Sequence, residues 1–398
     1  GSTVNVGIAG ENPLLQPGDT VTLIHAASLT GAPSNSTSHN QWMIGQGATI
    51  DYIYDLSTTA NQLVATISGA KASEQSKSLS EGFVSGPGLV NQTSDLLADK
   101  GVAQAMEVTG GGKPGKQGRS TMAAGHGLGT FGAISGGWNR YNTGSNADIS
   151  SVSLMAGLAW GNNLDPGRLT LAGFFEYGNG SYDTYNSFAG APDARGSGDI
   201  YHLGGGILGR LDLSENATGN FYTEASARVG SVHNDYKNGN LGGFAVSYET
   251  DSAYYGLHAG AGYIWRLDAK MSVDFYGKYF WTRQNGDSVH LATGDPIRFD
   301  SVDSHRLRAG GRFNYALNNF VAAYAGLAYE HEFDGKARAT AYGQSIPTPS
   351  LQGGTGVGEI GLTGKASKSI PLSIDLGVQG YAGTREGVTG SLQVRYEF

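Results

Sequence analysis

The feature that most constrains this chain is alternation. From about residue 121 to the end, apolar residues exchange with small, polar or charged ones at every second position, segment after segment. Between Met271 and Trp281 one face reads Met271, Val273, Phe275, Gly277, Tyr279, Trp281; the other reads Ser272, Asp274, Tyr276, Lys278, Phe280. Leu307, Ala309, Gly311, Phe313 and Tyr315 alternate in the same way with Arg306, Arg308, Gly310, Arg312 and Asn314. Period two is the period of a β-strand. Twelve such segments start near residues 125, 149, 167, 198, 219, 252, 271, 304, 319, 355, 371 and 387. A soluble sandwich alternates too, with its apolar face inward. Here the polar face carries small residues and opposing charges, while aromatics gather near segment ends. That pattern suits a membrane barrel, apolar outside and polar within.

The links between segments carry the same message. Those around Gly178 to Gly198, Asn234 to Thr250, Asn285 to Asp303 and Asp334 to Gly353 are long. Those around Ser214 to Asn220, Asp268, Asn318-Asn319 and Ser367 to Pro371 are short. Outer-membrane barrels have short periplasmic turns and longer external loops. A sandwich has no reason to sort its loops by parity.

Composition narrows the chemistry. The chain has 398 residues, 64 of them glycine, and no cysteine, which excludes disulfides, thiolate metal sites and a thiol nucleophile. The net charge of -8 argues against a nucleic-acid partner. No apolar run reaches the ~18 residues of a transmembrane helix. The chain opens at Gly1-Ser2 without a signal peptide and reads as a fragment of a longer precursor.

Three stretches precede the barrel. Residues 1–72 hold strand-like pieces. Residues 73–120 form a linker, in which Leu79, Phe83, Leu89, Val90, Leu96, Leu97, Val102 and Met106 recur at helical spacing. Gly86-Pro87-Gly88 predicts a kink or break, because an interior proline costs a helix about 3 kcal/mol. The intact part, Leu89 to Met106, is about 27 Å long at ~1.5 Å per residue, the thickness of a bilayer core. Residues 110–119 read as a flexible basic segment. Residues 121–398 form the barrel.

Twelve strands at ~4.8 Å spacing and ~40° tilt close to a backbone radius of about 12 Å. Such a lumen admits one helix, so the linker helix has an obvious place to go. Gly205 or Gly206, Gly260, Gly262 and Gly326 are expected to make room for it. The inward positions also carry Glu176, Glu224, Asp274, Glu330, Glu359 and Asp375, opposed by Arg228, Arg266, Arg306, Arg308, Arg312 and Arg395. Enclosed charges need partners, so these are expected to pair with one another, with water or with the helix. An even strand number puts both barrel ends on one side of the membrane. A threaded helix would then deliver residues 1–72 to the other side.

Several strings resemble the translocator barrel of classical type V autotransporters. They include Ser135-Gly-Gly-Trp-Asn-Arg-Tyr-Asn-Thr-Gly-Ser145, Leu154-Met-Ala-Gly-Leu-Ala-Trp-Gly161 and Tyr324-Ala-Gly-Leu-Ala-Tyr-Glu-His-Glu-Phe333. Gly377-Val-Gln-Gly-Tyr-Ala-Gly-Thr-Arg-Glu-Gly-Val-Thr-Gly-Ser391 and the terminal Val394-Arg-Tyr-Glu-Phe398 follow in order. The resemblance covers about residues 73–398. It implies a twelve-stranded Gram-negative outer-membrane barrel that exports an N-terminal passenger, with the linker helix left in the pore. It also implies a monomer without cofactor or metal, partnered by its own passenger, outer-membrane lipid and lipopolysaccharide, and the barrel assembly machinery. Tyr396 and Phe398 match the family's terminal assembly signal. Ser80-Glu-Gly-Phe83 and Leu89-Val-Asn-Gln-Thr-Ser-Asp-Leu96 resemble its linker helix, so Leu89, Asn91, Asp95, Leu96 and, by its helical spacing, Val102 are expected in the pore. Residues 1–72 look like the final rungs of a β-helical passenger.

Some members of that family cut their own linker by asparagine cyclisation. Asn91, with Asp95 one turn away, offers that chemistry or a plain polar helix surface; the double asparagine of the self-cleaving subgroup is missing. Gly286-Asp287-Ser288-Val289 resembles an esterase nucleophile block but lies in a barrel link, and glycine and aspartate are ordinary turn residues. Gly110 to Lys116 lacks the Ser/Thr of a phosphate loop, where Gln117 stands. Gly127 to Gly132 lacks the helix of a dinucleotide fingerprint. The nine histidines show no metal-ligand spacing. The competing readings are a twelve-stranded porin or outer-membrane hydrolase, and a soluble β-rich adhesin.

Overall fold

The computed structural model describes residues 15–31, 42–109, 126–214, 216, 218–365 and 372–396. Four strands, β1 (Thr20–His25), β2 (Trp42–Gln46), β3 (Ile50–Thr58) and β4 (Gln62–Ala72), form an N-terminal antiparallel sheet ordered β1-β4-β3-β2. A single helical rod follows. It comprises a 3-10 turn (Glu74–Ser76), α1 (Lys77–Leu96), a π-helical turn (Leu97–Gly101) and α2 (Val102–Val108).

The remaining strands are β5 (His126–Asn142), β6 (Asn146–Leu164), β7 (Gly167–Asn186), β8 (Ala194–Leu213), β9 (Gly219–Leu241) and β10 (Phe244–Arg266), then β11 (Met271–Gln284), β12 (Asp287–His290), β13 (Pro296–Phe299) and β14 (Val302–Ala316). After them come β15 (Val321–Glu332), β16 (Ala339–Ala341), β17 (Gln344–Ser345), β18 (Gly353–Lys365), β19 (Leu372–Gly383) and β20 (Arg385–Tyr396). Twelve of these close into one antiparallel barrel, sealed where β20 pairs with β5 from Arg385↔Tyr141 to Tyr396↔Thr130. The four short ones, β12, β13, β16 and β17, form a separate sheet inside the two longest links.

Alternation sets the two faces. Along β11, Phe275 and Tyr279 point out and are exposed, while Lys278 and Phe280 point in and are buried. The outward residues of every barrel strand form an apolar band, including Leu158, Ile207, Leu257, Leu327 and Ile360. Exposed apolar area on that scale belongs in lipid, where a closed barrel leaves no strand edge unpaired.

Of the expected long link Gly178 to Gly198, only residues 187–193 lie outside β7 and β8. The segment Asn234 to Thr250 is not a loop at all. It is the continuation of β9 and β10, joined by Gly242 and Gly243 at φ 62° and 93°, the conformation a two-residue hairpin turn requires. Its Asn, Asp and Lys residues are polar because they stand clear of lipid, not because the backbone is irregular. Nor does Pro87 break the helix: α1 runs through it without interruption. Every residue from Ser78 to Leu96 is buried, so packing on all sides outweighs the local cost of the proline. The irregularity falls instead ten residues later, in the π-helical turn.

Candidate functional site: the occupied pore

The rod lies in the barrel lumen. Its N-terminal part is at the end where the long links and the four-stranded external sheet sit. Phe83 stacks on Phe299 of β13 with ring centroids 4.5 Å apart. Its C-terminal part reaches the short-turn end, where Thr109 Oγ1 is 3.3 Å from Thr170 Oγ1 near the start of β7. The rod therefore runs through the pore from the long-link end to the short-turn end.

The lumen has two unlike walls. Along the C-terminal part of the rod the contact toward β5–β8 is apolar: Leu96, Leu97, Val102, Ala105 and Val108 pack on Phe131, Ala133, Met155, Ala159, Ala172, Phe174 and Leu208. Toward β11, β14, β19 and β20 it is ionic. Asp95 accepts hydrogen bonds from Arg306 (2.8 Å), Arg308 (2.8 Å) and Arg385 (2.6 Å). Asp99, one turn on, accepts from Arg308 (2.9 Å) and Gln379 (3.0 Å), with Lys278 Nζ at 3.4 Å. Glu330 of β15 braces Arg308 Nε at 2.9 Å and Arg306 Nη1 at 3.2 Å. Arg308 is 1% exposed and spends its donors on three carboxylates. Such fork-like, charge-assisted bonds fix register as well as contributing energy. The π turn widens the rod there and brings Lys100 Nζ 3.0 Å from Asp375, with a further hydrogen bond to the Tyr324 hydroxyl.

Barrel side chains also cap helix carbonyls. Arg228 donates to Val90 O (3.0 Å) and to Glu176 (3.3 Å). Asn234 donates to Gly82 O (2.6 Å), and Tyr248 to Leu79 O (2.7 Å). Glu81, buried in the upper lumen, accepts from Thr143 (2.7 Å), Ser145 and Asn186, with Lys77 at 3.6 Å. Asn91 donates its amide to Ser304 Oγ at 3.0 Å.

Leu89, Asn91, Asp95, Leu96 and Val102 thus all lie on the rod within the lumen, the first four in α1 and Val102 opening α2. Among the charges read from the sequence, Arg228, Glu176, Arg306, Arg308, Glu330 and Asp375 gather along the rod. The others bond to side chains of the wall. Arg312 and Glu359 pair at 2.6 Å, Asp274 accepts from the Tyr222 hydroxyl at 3.0 Å, and Arg266 donates to Asn220 at 3.1 Å. Glu224 is paired with Arg210 at 3.2 Å and Lys278 at 3.4 Å. Arg395 and Tyr396 end β20, their backbones paired with Phe131 and Thr130; their side chains and Phe398 lie outside the described residues.

The glycine expectation needs correction. A Cβ at Gly260 would meet Glu224 Cγ at 3.0 Å, and one at Gly326 would meet Glu359 Cγ at 2.9 Å. Gly262 faces Tyr222 and Gly206 faces Phe174. These positions make room for luminal side chains of the wall. Room for the rod comes from its own glycines: a Cβ at Gly88 would lie 2.8 Å from Ile149 Cδ1, and one at Gly101 2.8 Å from Met155 Sδ.

Sequence reading missed Asp99, Lys100 and Arg385. Asp99 is four residues beyond Asp95, the helical neighbour. Arg385 shares the parity of the inward face of β20 and was reachable by extending the alternation upstream of Val388.

A barrel closed by twelve antiparallel strands around an ion-paired helix is the architecture of an export pore held shut by its own linker. The autotransporter β-domain family model matches residues 123–377, and the chain belongs to that family. It is an integral outer-membrane translocator for an N-terminal passenger. Its fold is similar to the transport unit of AIDA-I from Escherichia coli, at 16% identity and TM-score 0.52 over 75% of this chain and 98% of that one. It is similar to the β-domain of the Bordetella autotransporter BrkA, at 16% identity and TM-score 0.51 over 68% and 99%. The NalP translocator of Neisseria meningitidis matches at 13% identity and TM-score 0.52 over 77% and 98%. No curated protein matches the chain by sequence.

Proposed function

We propose that the chain represents the state after export, in which the rod of residues 74–108 seals the pore and tethers the exported segment outside. The observation that carries this reading is the position of Asp95 and Asp99. They supply every carboxylate but one that is paired with Arg306, Arg308 and Arg385 among the described residues; the other is Glu330. Asp95 is saturated by three arginines and is not available as a base, so Asn91 serves as a polar contact to Ser304 and the linker stays intact.

Residues 1–72 are then the end of the passenger, residues 73–120 the linker and 121–398 the translocator. Tyr396 and Phe398 serve as the signal for the barrel assembly machinery. The outward band contacts lipid and lipopolysaccharide, and the barrel works as a monomer without cofactor or nucleic acid.

Single-channel conductance in a planar bilayer tests the seal. The full chain is expected to be nearly closed, and a version lacking residues 1–109 to show a steady open pore. Equal conductance would mean that the rod does not seal the lumen. Deleting Phe398 is expected to lower the yield of heat-modifiable barrel in the outer membrane; an unchanged yield would remove its role as a signal.

A further inference from the structure

The external hairpin of β9 and β10 carries, on its outer face, a cluster that the pore does not use. Register places Asp235 opposite Glu249 and His233 opposite Asp251. These two rungs lie just beyond Val229 and Tyr255, which are exposed at the edge of the apolar band. Two carboxylates directly opposed across antiparallel strands are destabilising unless a cation lies between them. His233 Nδ1 is 2.9 Å from Asp251 Oδ1, and Tyr201 stacks on the ring at 4.9 Å. Nε2 is 3.7 Å from Asp235 Oδ1. One ligand atom each from His233, Asp235 and Glu249 lie within 4.8 Å of one another.

A carboxylate that accepts from Nδ1–H leaves the Nε2 lone pair free and aimed, the usual outer-shell support of a metal-bound histidine. We propose that His233, Asp235 and Glu249 bind a zinc-class divalent cation on the barrel exterior, with Asp251 as a positioning residue. One imidazole nitrogen, two carboxylates and a position open to water match the donor set and ligand number of zinc with an open site. The nitrogen ligand disfavours calcium and magnesium, which take oxygen ligands. The sequence conceals the site because its ligands come from two strands and meet only through their register.

The site has a consequence for the pore. Tyr236 and Tyr248, the next residues along the same two strands, face inward, stacked 5.0 Å apart. Tyr236 bonds Ser78 Oγ at 2.5 Å and Tyr248 bonds Leu79 O at 2.7 Å. A cation on the outer face would brace the hairpin that grips the top of the rod.

The test is isothermal titration of zinc chloride into the untagged full chain in detergent micelles. Saturable binding is expected, with one site lost in His233→Ala and in Glu249→Gln, and weakened about tenfold in Asp251→Asn. Asp251→Glu should restore part of that loss. Magnesium and calcium should not displace the zinc at equal concentration. Glu249 is exposed, so its variant reports on the site even if another fails to fold; heat modifiability of each barrel checks this. Absence of saturable zinc binding in the parent, or an unchanged site in Glu249→Gln or in folded His233→Ala, would overturn the proposal.

Discussion

Asp95 shows how much one side chain can decide. Three guanidiniums converge on a carboxylate that belongs to the rod and not to the wall. Removing one partner of an enclosed ion pair costs about 3–5 kcal/mol, because the other charges are left without compensation. Asp95→Ala is therefore expected to raise the open probability of the full-length channel by orders of magnitude, and a bilayer recording would show it. Arg308→Leu should act in the same direction, since it breaks the contacts to Asp95, Asp99 and Glu330 together. Conductance at the parental level in Arg308→Leu would mean that the apolar wall alone holds the rod. The inward parity of Arg306 and Arg308 was legible from alternation. Which carboxylates they meet was not, because that depends on how far the rod has slid along the pore.

At the scale of elements, the external sheet couples the barrel to the N-terminal sheet. Asp295, between β12 and β13, accepts from Thr49 Oγ1 at 2.9 Å and from the Ala48 amide at 3.3 Å. Ile297, Phe299, Ala339 and Ile346 share one core with Ile50, Tyr52 and Leu63 of the N-terminal sheet. Asp295→Ala should loosen this junction and make residues 47–49 more open to external protease, with the barrel itself unaffected. Equal cleavage rates would show that the apolar core suffices. The barrel strands were readable because each alternates over eight or more positions. The length of β9 and β10 was not, because strand and loop are equally polar once they leave the bilayer. The π turn left no local signal either: Leu97-Ala-Asp-Lys-Gly101 is an ordinary helical string, and only its contacts to both walls favour the extra residue.

For the whole molecule, the split lumen makes a prediction about the vacated pore. With the rod gone, Arg306, Arg308, Arg385 and Lys278 line one wall against Glu330 and Glu224, and the part of the opposite wall that met residues 96–108 is apolar. A chain lacking residues 1–109 should pass anions in preference to cations. The reversal potential in a potassium chloride gradient measures this, and a cation-selective pore would mean that the remaining carboxylates outside this cluster set the field.

The same split suits a moving chain: an extended polypeptide in transit would find no continuous sticky stripe around its circumference. The long hairpin has a different outcome. From Val229, at the edge of the apolar band, β9 runs twelve more residues to Leu241. At ~3.3 Å per residue and ~40° tilt that lifts its tip about 30 Å. The tip thus stands clear of the membrane and forms a raised wall beside Ala48 of the N-terminal segment, ahead of the rod.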